Sequence, residues 1–213
     1  MSEHAPLDRR VQRSRSLLKE ALTSLIEQRD LADITIRDIT DRANLGRATF
    51  YLHYDSKEDL LAEVLDDLFA ELRATMTGTG AEVMGALADD TVRPEVRRPL
   101  GSRTLELLDS RRELYRSLAN SSAALEFWDR IQDLYEDGFL KLLKRTGKVP
   151  APGSPSFEYR ALYAAGGARA IVRRWLERDD AQPAEVGSYW TRYITVFLLT
   201  ENVVDPEPTD EQS

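Results

Sequence analysis

Apolar residues recur along most of the chain at intervals of three and four positions, the spacing of one face of an α-helix. The most regular example lies near the end, where six apolar or aromatic residues fall at positions 186, 189, 190, 193, 194 and 197. No run of alternating β-branched residues is long enough to indicate a sheet. The pattern therefore predicts an all-α fold. A first helix at about 9–28 carries one such stripe, formed by Leu18, Leu22, Leu25 and Ile26.

Two short helices, at about 35–42 and 46–52, follow the first one. Thr35 is placed to cap the first of them, and Asp38 completes a capping-box pattern three residues later. Between the short helices, Asn44 and Gly46 are residue types that tolerate a left-handed or tightly turned backbone. This arrangement is the layout of a helix-turn-helix, whose second helix enters the major groove of DNA. The same pattern also fits a solvated corner of a helical bundle.

The rest of the chain also reads as helices. Ser56 begins one that should end at the Thr77-Gly78-Thr79-Gly80 segment, and Gly147 to Pro155 should form a loop. We expect a helix-turn-helix domain at 1–60 with a flexible stretch at 1–8, a larger helical domain at 61–203 and a disordered acidic tail at 204–213. The further predicted helices lie at about 94–109, 111–120, 122–146, 157–178 and 184–200.

Composition narrows the possible chemistry. The 213 residues contain no Cys and two His, which excludes a thiolate site and nearly excludes a zinc site built from His. No apolar run approaches the ~20 residues of a membrane span, and the segment MSEHAPLDRR lacks the apolar region of a signal peptide. We therefore expect a cytoplasmic protein with no membrane association, no cofactor, no metal and no catalytic residues.

Charge leaves room for one local DNA contact. The net charge is −8, but residues 1–60 carry 10 basic and 11 acidic side chains, so most of the acidity lies further along the chain. Arg47 and Lys57 supply cations for phosphates, while Tyr51 offers a hydroxyl. Ala48 is small enough to let the second short helix approach the bases. Arg10, Arg13 and Arg15, ahead of the motif, are within reach of the DNA backbone.

The segment TIRDITDRANLGRATFYLHYDSKE resembles the N-terminal domain of the TetR/AcrR family of bacterial regulators, and the resemblance covers about residues 9–60. Three positions depart from the family pattern: Asn44 replaces a Gly, Thr40 an Ala, and Gly46 the Ser that caps the recognition helix and touches a phosphate. His53 either contacts DNA or is packed or solvated. The resemblance implies DNA contacts from Arg13, Thr35, Arg37, Gly46, Arg47, Ala48, Thr49, Tyr51, His53 and Lys57.

The same resemblance implies a homodimeric repressor that binds a near-palindromic operator and releases it on binding a small molecule. The effector should be apolar or aromatic, because aromatic residues are frequent in the predicted helices 122–146 and 157–178. Each of these aromatics also fits an ordinary core position, and Gly166-Gly167 fits close helix packing as well as space for a ligand. The predicted ligand contacts are Phe127, Trp128, Ile131, Tyr135, Tyr163, Gly167 and Trp175, and the predicted dimer contacts are Tyr189, Trp190, Tyr193 and Phe197.

Two other functions compete with this interpretation. An enzyme is disfavoured because the nucleophile-elbow, P-loop, complete dinucleotide-binding and metalloprotease motifs are all missing from the sequence. A family member that no longer binds DNA is disfavoured because Arg47, Thr49, Tyr51 and Lys57 are all present.

Overall fold

The computed structural model describes residues 4–88, 100–147, 149–199 and 203–204. Over these ranges the fold is all-α, as predicted, and no described helix is long and apolar enough to cross a membrane. Two short strands, β1 (Val149–Pro150) and β2 (Val203–Val204), form an antiparallel pair. The helices are α1 (His4–Ile26), α2 (Ile36–Ala43), α3 (Arg47–Tyr51), α4 (Lys57–Ala88), α5 (Leu100–Asp109), α6 (Arg112–Asn120), α7 (Ala124–Arg145), α8 (Phe157–Leu176) and α9 (Pro183–Leu199).

Helix ends differ from the predicted ones at two places. Helix α1 begins at His4, inside the stretch 1–8 that was expected to be flexible. Helix α4 does not end near Thr77 but continues through Gly78 and Gly80 to Ala88. A glycine costs ~1 kcal/mol in a helix interior but creates no clash there. The surrounding Ala, Glu, Met and Leu residues favour helix, so the two glycines were wrongly interpreted as its end.

The predicted loop at 147–155 contains a strand. Val149 of β1 lies opposite Val204 of β2, so Val204 belongs to this pair rather than to a disordered tail. A strand of two residues is too short to show an alternating pattern, and the pairing joins positions that are far apart in sequence. The rest of the predicted tail, 205–213, lies outside the described residues.

The chain divides into two compact units, and the first comprises Met1–Ala70 and Arg111–Phe127. Its core confirms the predicted apolar stripe of α1, and Phe50 of α3 is fully buried. Helix α1 contacts α2 and also α6, so a segment far along the sequence completes this unit. The main core residues of α1, α2 and α4 are Leu18, Leu22, Leu25, Ile26, Ile39, Leu61, Val64 and Leu65.

The second unit comprises Glu71–Ser110 and Trp128–Ser213, and its α5 and α9 cross at two glycines. A Cβ atom added to Gly187 would lie 2.2 Å from the backbone N of Ser102, and one added to Gly101 would lie 2.4 Å from the Gly187 carbonyl oxygen. Trp190 of α9 is 2% exposed, with its ring edge-to-face against Tyr135 at 5.2 Å. This burial removes Trp190 from the predicted dimer contacts, because its side chain presents no surface to a partner.

Candidate nucleic-acid interface

Helix α2 begins where the sequence predicts, because Thr35 and Asp38 form the capping box. The Thr35 hydroxyl accepts a hydrogen bond from the backbone N–H of Asp38 at 3.2 Å, and the Asp38 carboxylate accepts one from the backbone N–H of Thr35 at 2.9 Å. The hydroxyl and backbone N–H of Thr35, followed by the Arg29 guanidinium, lower the pKa of Asp38 to about 2. The Thr35 hydroxyl is therefore engaged in the cap, which leaves α2 backbone N–H groups for a phosphate.

The turn between α2 and α3 depends on Asn44. Its backbone is left-handed, with φ 53° and ψ 44°, a conformation in which Asn replaces the usual Gly at small cost. Gly46 then takes the N-cap position of α3 in an ordinary extended conformation, with φ −79° and no capping side chain. A Cβ atom added to Gly46 would have nothing within 4 Å. The backbone therefore does not require glycine here, and a serine would fit.

Helix α3 presents a short exposed face above a buried anchor. Phe50 points into the core, while Arg47, Ala48 and Tyr51 are exposed and Thr49 is half-buried. The Phe50 ring packs against the rings of Tyr51 and Tyr54, at centroid distances of 5.6 and 5.8 Å. One buried aromatic residue thus holds a five-residue helix whose outer side carries a cation, a hydroxyl and a small residue.

The ammonium group of Lys57 is bound to the protein's own backbone rather than being free in solvent. Its ammonium donates hydrogen bonds to the backbone carbonyl oxygens of Leu31, at 2.7 Å, and Ile34, at 2.9 Å. These carbonyls belong to the turn just before α2, so Lys57 ties the start of α4 to the start of the helix-turn-helix. An ammonium has three N–H donors, so one remains for a phosphate. Replacing Lys57 should therefore affect stability as well as DNA binding.

His53 is packed rather than free. Its Nε2 lies 2.7 Å from the Oγ of Ser14 on α1, and the ring is half-buried. Of the alternatives that the sequence leaves open, the packed position is the one observed in this structure. This contact connects His53, two residues after α3, to the middle of α1.

The Glu63 carboxylate on α4 interacts with three side chains that donate hydrogen bonds or carry a positive charge. Glu63 accepts hydrogen bonds from the Tyr54 hydroxyl at 2.9 Å and from Arg15, and it forms an ion pair with Lys19 at 3.1 Å. Burial acts to raise the pKa of Glu63, but the bonds from Arg15, Lys19 and Tyr54 outweigh it and the pKa is lowered. Burial and the neighbouring Glu63 raise the pKa of Tyr54. Arg15 is therefore part of this internal cluster rather than a DNA contact.

The other predicted arginines lie on the surface. Arg13 is exposed on α1, and Arg37 is exposed on α2 with an ion pair to Asp41 at 3.5 Å. An exposed pair of this kind contributes at most ~1 kcal/mol, so Arg37 is easily redirected to a phosphate.

Three residues near the interface were not predicted from the sequence. Leu52, directly after α3, is 80% exposed, and Ser14 and Glu63 hold the residues that follow it. Leu52 had a signal in the sequence, since it follows Ala48 by four positions within the helix predicted at 46–52. Ser14 and Glu63 had none, because their partners lie 39 and 9 residues away.

The predicted ligand contacts separate into two sets. Phe127, Ile131, Tyr135 and Trp175 are buried core residues, and so is Trp128, whose ring centroid lies 6.0 Å from the Arg169 guanidinium carbon. Tyr163 is 72% exposed, and Gly167 is also on the surface with nothing near an added Cβ atom. These two residues of α8 therefore do not line a cavity within the described chain.

Tyr163 and Gly167 instead lie on an exposed face of α8 and α9. This tyrosine face, as we call it, also includes Gly166 and a contact between the Tyr163 and Phe197 rings at 4.9 Å. An exposed surface rich in aromatic residues is typical of a protein interface. Its remaining large members are Tyr159, Leu162, Tyr189 and Tyr193.

Residues 18–64 match the family described as bacterial regulatory proteins, tetR family. The chain is similar to the uncharacterized HTH-type transcriptional regulator YxbF of Bacillus subtilis (strain 168), with 26% identity over 79% of this chain and 41% of that protein. It is also similar to the HTH-type transcriptional repressor KstR2 of Rhodococcus jostii (strain RHA1), with 38% identity over 28% of this chain and 31% of that protein. The chain thus spans less than half the length of these relatives.

Solved structures share the fold. The dihydroxyacetone kinase operon activator DhaS superposes with a TM-score of 0.64 and 17% identity, over 89% of this chain and 98% of its own. A TetR transcriptional regulator from Streptococcus agalactiae 2603V superposes with a TM-score of 0.62 and 22% identity, over 90% of this chain and 99% of its own. At this identity the similarity establishes the all-α architecture and no further property.

Proposed function

We propose that this chain, which belongs to the tetR family of bacterial regulatory proteins, is a homodimeric repressor that binds operator DNA through α2 and α3 and releases it on binding a small molecule. The observation that carries the proposal is the exposed face of α3. Arg47, Ala48 and Tyr51 project from a helix that Phe50 anchors and that a capped α2 supports.

Each residue of this face has a separate role. Arg47 carries an exposed guanidinium that fits either a phosphate or the O6 and N7 atoms of guanine. The Tyr51 hydroxyl and the third N–H of Lys57 donate to phosphates, while Ala48 and the Thr49 methyl lie close to base edges. Gly46 contributes its backbone N–H where the family commonly supplies a serine hydroxyl.

The tyrosine face supports the dimer. Tyr163, Tyr189 and Tyr193 are exposed on α8 and α9, Phe197 is half-buried, and Gly166-Gly167 permit close approach of a second backbone. A second copy docked by two-fold symmetry would present two α3 helices to a near-palindrome with half-sites about one helical turn apart, or a multiple of it. Replacing Phe197 by Arg should then yield monomers in sedimentation and weaken operator binding.

The effector is proposed to be apolar or aromatic and to act by favouring a state with low operator affinity. The aromatic residues of α7 and α8 support an effector of this chemistry. Tyr163 and Gly167 are excluded from the proposed ligand contacts because both lie on the surface. One similar protein is a named repressor, which supports repression as the direction of regulation. A transcription assay with the operator upstream of a reporter should show lower output in the presence of the protein and recovery with the effector.

Direct DNA binding is the central test. The 213-residue chain would be used to select sequences from a random duplex pool, and the affinity for the selected site would be measured by fluorescence anisotropy across a salt series. Arg47→Ala should weaken binding by roughly 5- to 150-fold, in line with ~1–3 kcal/mol for a base contact. Arg145→Ala removes an exposed arginine from α7 and serves as the matched control. Equal binding by the wild type and Arg47→Ala would count against the proposed interface.

A further inference from the structure

On the exposed face of α3, a row of apolar side chains lies next to a row of polar ones. Residues four positions apart lie above one another on an α-helix, so Arg47 and Tyr51 form one line while Ala48 and Leu52 form the next. Leu52 retains helical backbone geometry, with φ −73° and ψ −17°, and therefore continues the line by one residue beyond α3. At 80% exposure, it is more exposed than any other large apolar side chain in the part of the chain that the structure describes.

The backbone of Leu52 is held on both sides. Phe50, two residues before it, is fully buried. His53 contacts the Ser14 hydroxyl, and Tyr54 is buried with its hydroxyl donated to Glu63. Leu52 is thus an apolar side chain presented to solvent from a fixed position. Single exposed leucines are ordinary on protein surfaces, and Leu125 of α7, at 75% exposure, is an example. What distinguishes Leu52 is that it shares a face with the proposed DNA contacts.

We propose that Leu52 contacts the 5-methyl group of a thymine in each half-site and selects thymine over cytosine at that base pair. The inference rests on the proposed function. Thymine is the only standard base that presents a methyl group in the major groove, whereas cytosine presents an amino donor there. Leucine buries the methyl group favourably but offers no acceptor for the amino group, which would lose its water. Leu52 is therefore a specificity-determining residue that works without a hydrogen bond.

The experiment removes the methyl group from the DNA and the side chain from the protein. The 213-residue chain is first used to select a duplex from a random pool, and each thymine of the selected half-sites is then replaced in turn by uracil, which lacks only the 5-methyl group. Binding is measured by fluorescence anisotropy for the wild type and for Leu52→Ala, Leu52→Met and Leu125→Ala. Circular dichroism checks that each variant is folded.

For the wild type, uracil at one position in one half-site should weaken binding about fourfold, the value expected for one buried methyl group. Leu52→Ala should bind the thymine duplex more weakly and lose no further affinity with uracil there, while Leu52→Met and Leu125→Ala should discriminate like the wild type. If Leu52→Ala still distinguishes thymine from uracil at every position, or if no uracil weakens the wild type, the assignment of Leu52 is wrong while the proposed function stands. If no sequence is enriched at all, the proposed function fails, and the role of Leu52 fails with it.

Discussion

The helix-turn-helix of the first unit and the tyrosine face of the second unit are stabilised by different kinds of contact. In the first unit, short-range features such as the Thr35 cap and the left-handed Asn44 shape the helix-turn-helix, and side chains from α1 and α4 then hold it. In the second unit, backbone contact between α5 and α9 at Gly101 and Gly187 brings together segments 86 residues apart in sequence. The polar face of α3 thus depends on local backbone order and a few anchoring side chains. The apolar tyrosine face depends instead on the geometry with which the long helices pack against one another.

Removing the Phe50 anchor should produce the largest effect and confine it to the first unit. Phe50→Ala empties a fully buried site at a cost of ~3–5 kcal/mol. Amide hydrogen exchange in α2 and α3 should accelerate strongly, and DNA binding should be lost, while exchange in α8 stays near the wild-type rate. Equal acceleration in both units would show that the distinction between them is wrong.

A methyl group added at the crossing of α5 and α9 should destabilise the second unit and leave the first unit unchanged. Gly187→Ala places a Cβ against the backbone of Ser102, so the helices must separate, at a cost of ~2–3 kcal/mol. Because all three tryptophans lie in the second unit, their fluorescence during urea unfolding reports this loss. Arg192→Ala, an exposed change on the same helix, is the control and should leave stability within about 0.5 kcal/mol of the wild type. Destabilisation by both variants alike would argue against the close crossing.

Lys57 tests whether the first unit relies on its anchors. Lys57→Met keeps the length of the side chain but removes two hydrogen bonds from a charged donor, which should cost ~2 kcal/mol of stability. Amide exchange should accelerate around residues 31–35. The slope of log affinity against log salt concentration should decrease in magnitude by about one. A variant with a smaller salt slope but unchanged exchange would mean that Lys57 acts only on phosphate.

Acid should weaken the first unit through Glu63. Its pKa is lowered in the folded protein, so its contribution to stability is present above the usual value of 4.5 and is lost as the pH falls through the lower folded value. Glu63→Gln should cost ~1 kcal/mol at pH 7 and flatten this part of the stability–pH curve. Glu58→Gln, an exposed change in the same helix, should leave the curve unchanged. An identical acid response in the wild type and Glu63→Gln would exclude this carboxylate as the cause.

The smallest effect is expected at Gly46. Gly46→Ser supplies the missing N-cap oxygen of α3 and should stabilise the protein by a few tenths of a kcal/mol, roughly the measured difference between these caps. The added hydroxyl also restores a phosphate donor, so operator affinity should rise slightly. Gly46→Ala, which adds a Cβ without an oxygen, should give neither gain. A thermal melt and an anisotropy titration are sufficient to compare the three proteins.

The sequence by itself determined the all-α fold, the helix-turn-helix with its capping box and turn, and the outward position of Arg47, Ala48 and Tyr51. These features depend on periodicity and on residues a few positions apart, so a linear pattern contains them. Only the tertiary structure decided that Trp190 is buried, that Tyr163 and Gly167 are exposed, and that Lys57, His53 and Arg15 have internal partners. An aromatic stripe indicates which side of a helix is apolar, but which part of it is covered depends on the neighbouring helices. Those neighbours come from distant segments of the chain, whose approach a one-dimensional pattern does not encode.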